Sequence, residues 1–69
     1  MIAADTKSEI LQRVDEIRQP CPEMRLGQVL ATIGLLGEDT TGRSLWDLED
    51  QQLAAAVERF ADDLKRRQA

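Results

Sequence analysis

The chain has 69 residues, a formal net charge of -4, and neither histidine nor tyrosine. A chain of this length forms one domain, expected over residues 1-69, whose small core leaves no room for a buried cofactor. The lack of histidine excludes the usual general base, the histidine-dependent serine and cysteine dyads, and imidazole metal sites. We therefore expect no enzyme activity, no cofactor, no metal site and no small-molecule substrate.

The sequence is typical of a soluble cytoplasmic protein. Its single cysteine cannot form an internal disulfide. The first residues lack the basic and long apolar regions of a signal peptide, and no apolar run approaches the length of a membrane span. We therefore predict a cytoplasmic location and no membrane partner.

The first predicted element is a helix over about residues 6-19. Thr6 begins a T-K-S-E sequence with the spacing of a capping box. Pro20 ends the helix because proline restricts the residue before it. Apolar side chains recur between them at helical spacing, at Ile10, Val14 and Ile17.

The second predicted helix covers about residues 22-36. Pro22 is tolerated in a first turn, where its missing N-H would have no intrahelical partner, and Gly37 is the expected left-handed terminator. The apolar stripe consists of Leu26, Val29, Leu30 and Ile33. A neighbouring face carries small residues, which let another backbone approach closely, at Gly27, Ala31 and Gly34.

The connection that follows, GEDTTGRS, is polar and glycine-rich, and is therefore predicted to be a surface loop. Residues 38-50 carry five acidic side chains and one basic side chain. Glu38 and Asp39 form a candidate docking loop for a basic partner, and the alternative is a solvated loop that keeps a small protein in solution.

The next segment, LWDLED, is too short for a helix of its own and predicts a short ordered turn or extended segment at 45-48. Leu45 and Leu48 are expected to pin this segment to the core, with Trp46 covering an edge. Asp50 is the expected cap of a third helix over about residues 50-66. The predicted fold class is therefore all-α, a small three-helix domain.

Cys21, in the stretch PCPEM, is the one candidate for a reactive group. A thiol just before a helix amino terminus can have its pKa lowered. No second cysteine can resolve a disulfide, and the nearby Glu23 disfavours a thiolate. We interpret Cys21 as a half-buried structural residue at the junction of two helices.

Five polar residues form a candidate structural or interaction motif: Arg25, Gln28, Asp47, Glu49 and Asp50. Arg25 and Gln28 are one turn apart and can tie the second helix to the acidic segment, because a guanidinium matches a carboxylate. The alternative is a recognition patch for another protein. The three acids can also hold a hard cation, but the twelve-residue calcium-loop pattern is absent, so acids that favour a helix amino terminus are the simpler interpretation.

The pairing of RLGQ, residues 25-28, with LED, residues 48-50, resembles a group of small uncharacterised bacterial proteins. In that group R-[L/F]-G-Q is followed by a leucine- or aromatic-rich segment ending in E-D and by an acidic helix. Asp47 stands where the pattern favours an aromatic residue. The resemblance covers residues 24-60 and implies a small helical fold without an established chemistry.

These observations favour a protein-protein interaction module or a self-associating accessory protein. One alternative is an acidic antitoxin or immunity-like regulator that binds a basic partner. Another is an HTH-type DNA-binding regulator, but the connection after the second helix is long and acidic, and Lys65-Arg66-Arg67 is the only basic cluster. We therefore expect a protein partner or a homo-oligomer and no nucleic-acid partner.

Overall fold

The computed structural model describes residues 6-68, so residues 1-5 and 69 of the predicted domain lie outside the described range. Within that range all of the regular secondary structure is helical, which confirms the predicted all-α, three-helix class. The elements are α1 (Thr6–Arg18), α2 (Leu26–Thr41), a 3-10 helix (Leu45–Asp47) and α3 (Asp50–Gln68). None of the described helices combines the length and apolar character needed to cross a membrane.

Helix α3 is the centre of the domain. It packs against both α2 and α1, whereas α1 and α2 contact each other only slightly. The molecule is flattened, with principal extents of 34 × 33 × 21 Å. Two helices resting on a third, with little contact between them, leave a groove that has α3 as its floor.

The buried core contains one stripe from each helix, as the helical spacing of apolar residues predicts. The buried side chains include Ile10, Val14 and Ile17 of α1, Val29 and Ile33 of α2, and Val57 and Phe60 of α3. The most deeply buried large side chains are Ile33, Val29 and Val57, each less than 2% exposed. Leu26 and Leu30, predicted to lie in the same stripe as Val29, are instead exposed.

The predicted bounds of the second helix are wrong at both ends. Helix α2 begins at Leu26, because the PCPEM segment forms turns in which the Met24 N-H donates to the Cys21 carbonyl at 3.0 Å. It continues through Gly37 and ends at Thr41. The next residue, Gly42, adopts a left-handed φ of 74°. Gly42 is therefore the terminator that was predicted at Gly37.

The small-residue face of α2 receives the 3-10 helix and the residue after it. A Cβ atom on Gly34 would lie 3.3 Å from the Cβ of Leu45, and one on Gly37 would lie 2.5 Å from Cδ1 of Leu48. Gly37 thus gives Leu48 room to approach a continuous helix. The close approach predicted for Gly27, Ala31 and Gly34 occurs at Gly34 but not at Gly27, and it is made by the side chain of Leu45, not by a backbone.

Trp46 does not cover an edge of the core, contrary to the sequence prediction, since it is 93% exposed. In a 3-10 helix residues three apart share a face, so Leu45 and Leu48 both reach the glycines of α2 while the residue after Leu45 points elsewhere. Leu48 is half-buried and Leu45 remains 43% exposed. The segment is held by its two leucines, and the only tryptophan is left in solvent.

Replacing two glycines of α2 by alanine is expected to have opposite effects. Alanine in a helix is favoured over glycine by about 0.5-1 kcal/mol, and Gly27 has nothing within 4 Å of an added Cβ, so Gly27→Ala should be stabilising. Gly37→Ala should be destabilising by about 1 kcal/mol, because the added methyl displaces Leu48. Urea unfolding of the two variants measures the difference, and equal stabilisation by both would contradict this placement of Leu48.

Candidate binding groove

Helices α2 and α3 begin in the same way, with a glutamine at the third helical position. The Arg25 N-H donates to Oε1 of Gln28 at 2.8 Å, and the Glu49 N-H donates to Oε1 of Gln52 at 3.0 Å. A capping box has two hydrogen bonds, and each glutamine makes the one in which its side chain accepts from the backbone N-H of the residue before the helix. The predicted cap, Asp50, is instead the first residue of α3. Gln52 could have been found as a capping residue because it is the third residue of α3, as Gln28 is of α2.

The predicted ion pairs between Arg25 and the acidic segment do not form. Within residues 6-68, Arg25 is paired with no carboxylate. Glu49 lies instead 3.9 Å from Nη1 of Arg43, and Asp50 accepts a hydrogen bond from Nζ of Lys7 at 2.8 Å. Glu49, just before α3, is therefore paired with Arg43, and Asp50, the first residue of α3, is paired with Lys7 of α1.

The reason lies in how the 3-10 helix packs on α2. This segment contacts α2 at Gly34 and Gly37, more than two helical turns beyond Arg25, or roughly 14 Å at 1.5 Å per residue. Asp47 is satisfied locally, since its carboxylate accepts from the Ser44 hydroxyl at 3.2 Å. Of the five motif residues, Arg25 and Gln28 lie together at the start of α2. Glu49 and Asp50 lie together at the start of α3, and their ion pairs are with Arg43 and Lys7.

Glu38 and Asp39 do not lie in a loop, contrary to the sequence prediction, because α2 continues to Thr41. Asp39 accepts a hydrogen bond from Nη1 of Arg59 at 3.2 Å, an ion pair that joins α2 to α3. The Glu38 carbonyl accepts the Gly42 N-H at 2.8 Å. Part of the acidic charge of this region is thus matched within the chain, and docking to a basic partner stays a prediction.

A bidentate ion pair between Arg13 and Glu58 joins α1 to α3. Nε and Nη2 of Arg13 donate to the two carboxylate oxygens of Glu58 at 2.7 and 3.2 Å. The hydrogen bond to Glu58 raises the pKa of Arg13 above its ordinary value, and a further bond to Glu16 acts in the same direction. Because both side chains remain partly exposed, the pair orients the two helices more than it stabilises them.

The capping bonds of Gln28 and Gln52 should contribute to the free energy of unfolding. Gln28→Ala and Gln52→Ala should each lower the free energy of unfolding by about 0.5-1.5 kcal/mol, because each leaves a helix-start N-H without its partner. Gln51→Ala is the matched control, since Gln51 is an exposed neighbour in the same helical turn. Thermal or urea unfolding measures all three, and a loss in the control as large as in Gln52→Ala would contradict the capping role.

Cys21 lies in the connection between α1 and α2, and its side chain is buried and free. Its N-H donates to the Arg18 carbonyl at 3.1 Å. Cys21 is 8% exposed, so it is more buried than the half-buried position predicted from the sequence, and its structural role stays a prediction.

The main surface feature is an open groove of about 280 Å³ above α3. Its walls come from α1, α2 and the 3-10 helix, and all of its lining side chains are apolar. They are Ile10, Leu11, Val14, Leu30, Ile33, Leu45, Leu53 and Val57. A second depression of about 210 Å³ shares Ile10, Leu11 and Leu53 and reaches the Lys7-Asp50 ion pair. The groove therefore ends at a neutralised pair of charges.

Several groove residues are exposed although they are large and apolar. Leu11 is 70% exposed, Leu30 41% and Leu45 43%, and the fully solvated Trp46 directly follows Leu45 in the chain. The sequence could not separate Leu30 from the core, because Leu30 belongs to the same predicted apolar stripe as Val29 and Ile33. Exposed apolar surface that forms one continuous feature is typical of an interaction site.

Comparison with protein-family models, with curated proteins and with solved structures finds no match for this chain. The resemblance to small bacterial proteins with the R-[L/F]-G-Q motif stays a prediction.

Proposed function

We propose that this chain is a non-catalytic protein-protein interaction module that binds its partner in the groove between α1 and α2. The observation that carries the proposal is the groove's wholly apolar lining together with the exposure of Leu11, Leu30 and Leu45. A lining without charged or hydrogen-bonding side chains offers little to a polar substrate. It suits an apolar side chain or the apolar face of a helix.

Stable binding at this surface requires a partner that covers several exposed apolar residues at once. Burying Trp46 removes about 150-250 Å² from water, which at about 25 cal/mol per Å² is worth roughly 4-6 kcal/mol before the costs of association. Those costs are about 4-15 kcal/mol, so the tryptophan alone does not support stable binding. A partner must also cover the groove leucines.

The acidic-regulator alternative draws less support from the described charges. Asp39, Glu49 and Asp50 each have a basic partner within the chain. A basic ligand would have to compete with these contacts. An apolar ligand in the groove would not have to compete with ion pairs, because the groove lining carries no charged side chain.

Site-specific photo-crosslinking in cells that make the protein tests the proposal. A photoreactive amino acid replaces Leu11 in the groove, and a matched variant carries it at Leu35, which is equally exposed at 68% but does not line the groove. We expect a discrete covalent adduct from position 11 and none from position 35, because only the groove is covered by a partner.

The two positions also define what would contradict the proposal. Adducts of equal yield from both positions indicate non-specific contact, and no adduct from position 11 indicates an uncovered groove. Circular dichroism of each variant, which must match the unmodified chain, verifies that the helices are intact.

A further inference from the structure

The short segment between α2 and α3, residues 44-48, covers two glycines of α2 with little of its own surface. We call these residues the strap. Gly34 and Gly37 are buried, and the atoms nearest to an added Cβ belong to Leu45 and Leu48, respectively. Residues 44-47 are all exposed, and Leu48 is half-buried. The strap is therefore attached to α2 by two leucines, neither of which is fully enclosed.

The hydrogen bonds of the strap do not hold it to the helices. Within the described range they all join two residues of the strap itself. The N-H groups of Asp47 and Leu48 donate to carbonyls three residues back, at 2.9 and 3.3 Å, and the Ser44 hydroxyl donates to the Asp47 carboxylate at 3.2 Å. Lifting the strap from α2 as a unit therefore breaks none of these bonds, and its cost is the exposure of apolar surface.

The two helix ends that flank the strap are closed by bonds of their own. At the end of α2 the Gly42 N-H donates to the Glu38 carbonyl at 2.8 Å. At the start of α3 Gln52 accepts the Glu49 N-H at 3.0 Å. Nη1 of Arg43 and Oε1 of Glu49 lie 3.9 Å apart, so the two ends of the strap are close together. The strap can thus move without unwinding a turn of either helix.

We propose that the strap opens away from α2 as a unit while the three helices stay folded, so that it is a movable wall of the groove. Local opening below the free energy of global unfolding is expected of a segment with few buried apolar contacts. Because Leu45 lines the groove, opening widens it. Opening also uncovers Gly34 and Gly37, where small residues let another backbone approach closely.

This inference goes beyond the proposed function, because the strap opens whether or not a partner occupies the groove. Saturation-transfer NMR of the full chain tests it, since the method detects minor states of about 1% on the millisecond timescale. The methyl groups of Leu45 and Leu48 and the amides of Gly34 and Gly37 should report one minor state with a common rate. The methyl groups of Val57, which is 1% exposed, should not report it.

Two alanine variants of α2 form a matched pair for this measurement. The helix is intact whether the strap is open or closed, so the helical preference of alanine affects both states equally. Gly37→Ala should raise the open population about tenfold, because the added methyl displaces Leu48 only in the closed state. Gly27→Ala is the control and should leave that population unchanged, since nothing lies within 4 Å of its added Cβ.

Leu48→Ala is a second variant that weakens the attachment without altering α2. It should also raise the open population about tenfold, as loss of part of a half-buried leucine side chain does. Circular dichroism of each variant, compared with the wild type, verifies that the helices are intact. Agreement of both variants, with Gly27→Ala unchanged, supports the strap.

Three results would overturn the inference. They are the absence of a minor state in both Gly37→Ala and Leu48→Ala, different exchange rates at Leu45 and Leu48, and exchange that Val57 shares at the same rate, which indicates global unfolding. None of them bears on the crosslinking at position 11, so the strap and the proposed function fail independently.

Discussion

Phe60→Ala is expected to leave the chain largely unfolded at 25 °C. Phe60 is the only phenylalanine, is 4% exposed, and belongs to the buried cluster that joins all three helices. Truncating a buried phenylalanine to alanine costs about 3-5 kcal/mol. A single core in a chain this short supplies about 3-5 kcal/mol of net stability, so this one change removes most of it.

Far-UV circular dichroism with urea titration measures this loss. Phe60→Leu is the matched variant, because it keeps an apolar side chain in the cluster and should retain a cooperative transition at lower urea concentration. A cooperative Phe60→Ala transition close to that of the wild type would contradict the central place of Phe60 in the core.

Ile33→Ala is expected to lower the free energy of unfolding by about 2-5 kcal/mol, the range for removing a large buried aliphatic side chain. Ile33 is 1% exposed and lies on the α2 wall of the groove. Its truncation therefore also enlarges the groove that we propose as the binding site, so binding of a partner there should weaken in the fraction that remains folded.

The control lies two residues further along the same helix. Leu35→Ala should change stability by less than about 0.5 kcal/mol, because Leu35 is 68% exposed. Ile33→Val should fall between the two, at about 0.5-1.5 kcal/mol. A Leu35→Ala loss equal to that of Ile33→Ala would contradict the assigned orientation of α2.

The helical class and the three buried stripes could be predicted from the sequence because apolar spacing records which face of a helix meets the core. The ends of α2 could not. A glycine serves equally well as a left-handed terminator or as space for a neighbouring side chain, and local sequence does not distinguish these roles. Gly37 provides space for Leu48, and Gly42 ends the helix.

The groove, too, could not be predicted from the sequence. Leu11 and Leu30 follow the same periodicity as the core, and their exposure depends on how far α1 and α2 stand apart on α3. Trp46 is expected from the sequence to cover an edge of the core, and it is instead 93% exposed. Only the three-residue turn of the 3-10 helix, which turns Leu45 and Leu48 toward α2, explains why the tryptophan is left outside.

The glutamines at the starts of α2 and α3 have a consequence for the response to acid. A glutamine amide does not titrate, so the first turns of both helices keep their capping bonds at low pH. Acidification should therefore leave the starts of α2 and α3 capped, because the hydrogen bonds of Gln28 and Gln52 do not depend on a charged side chain.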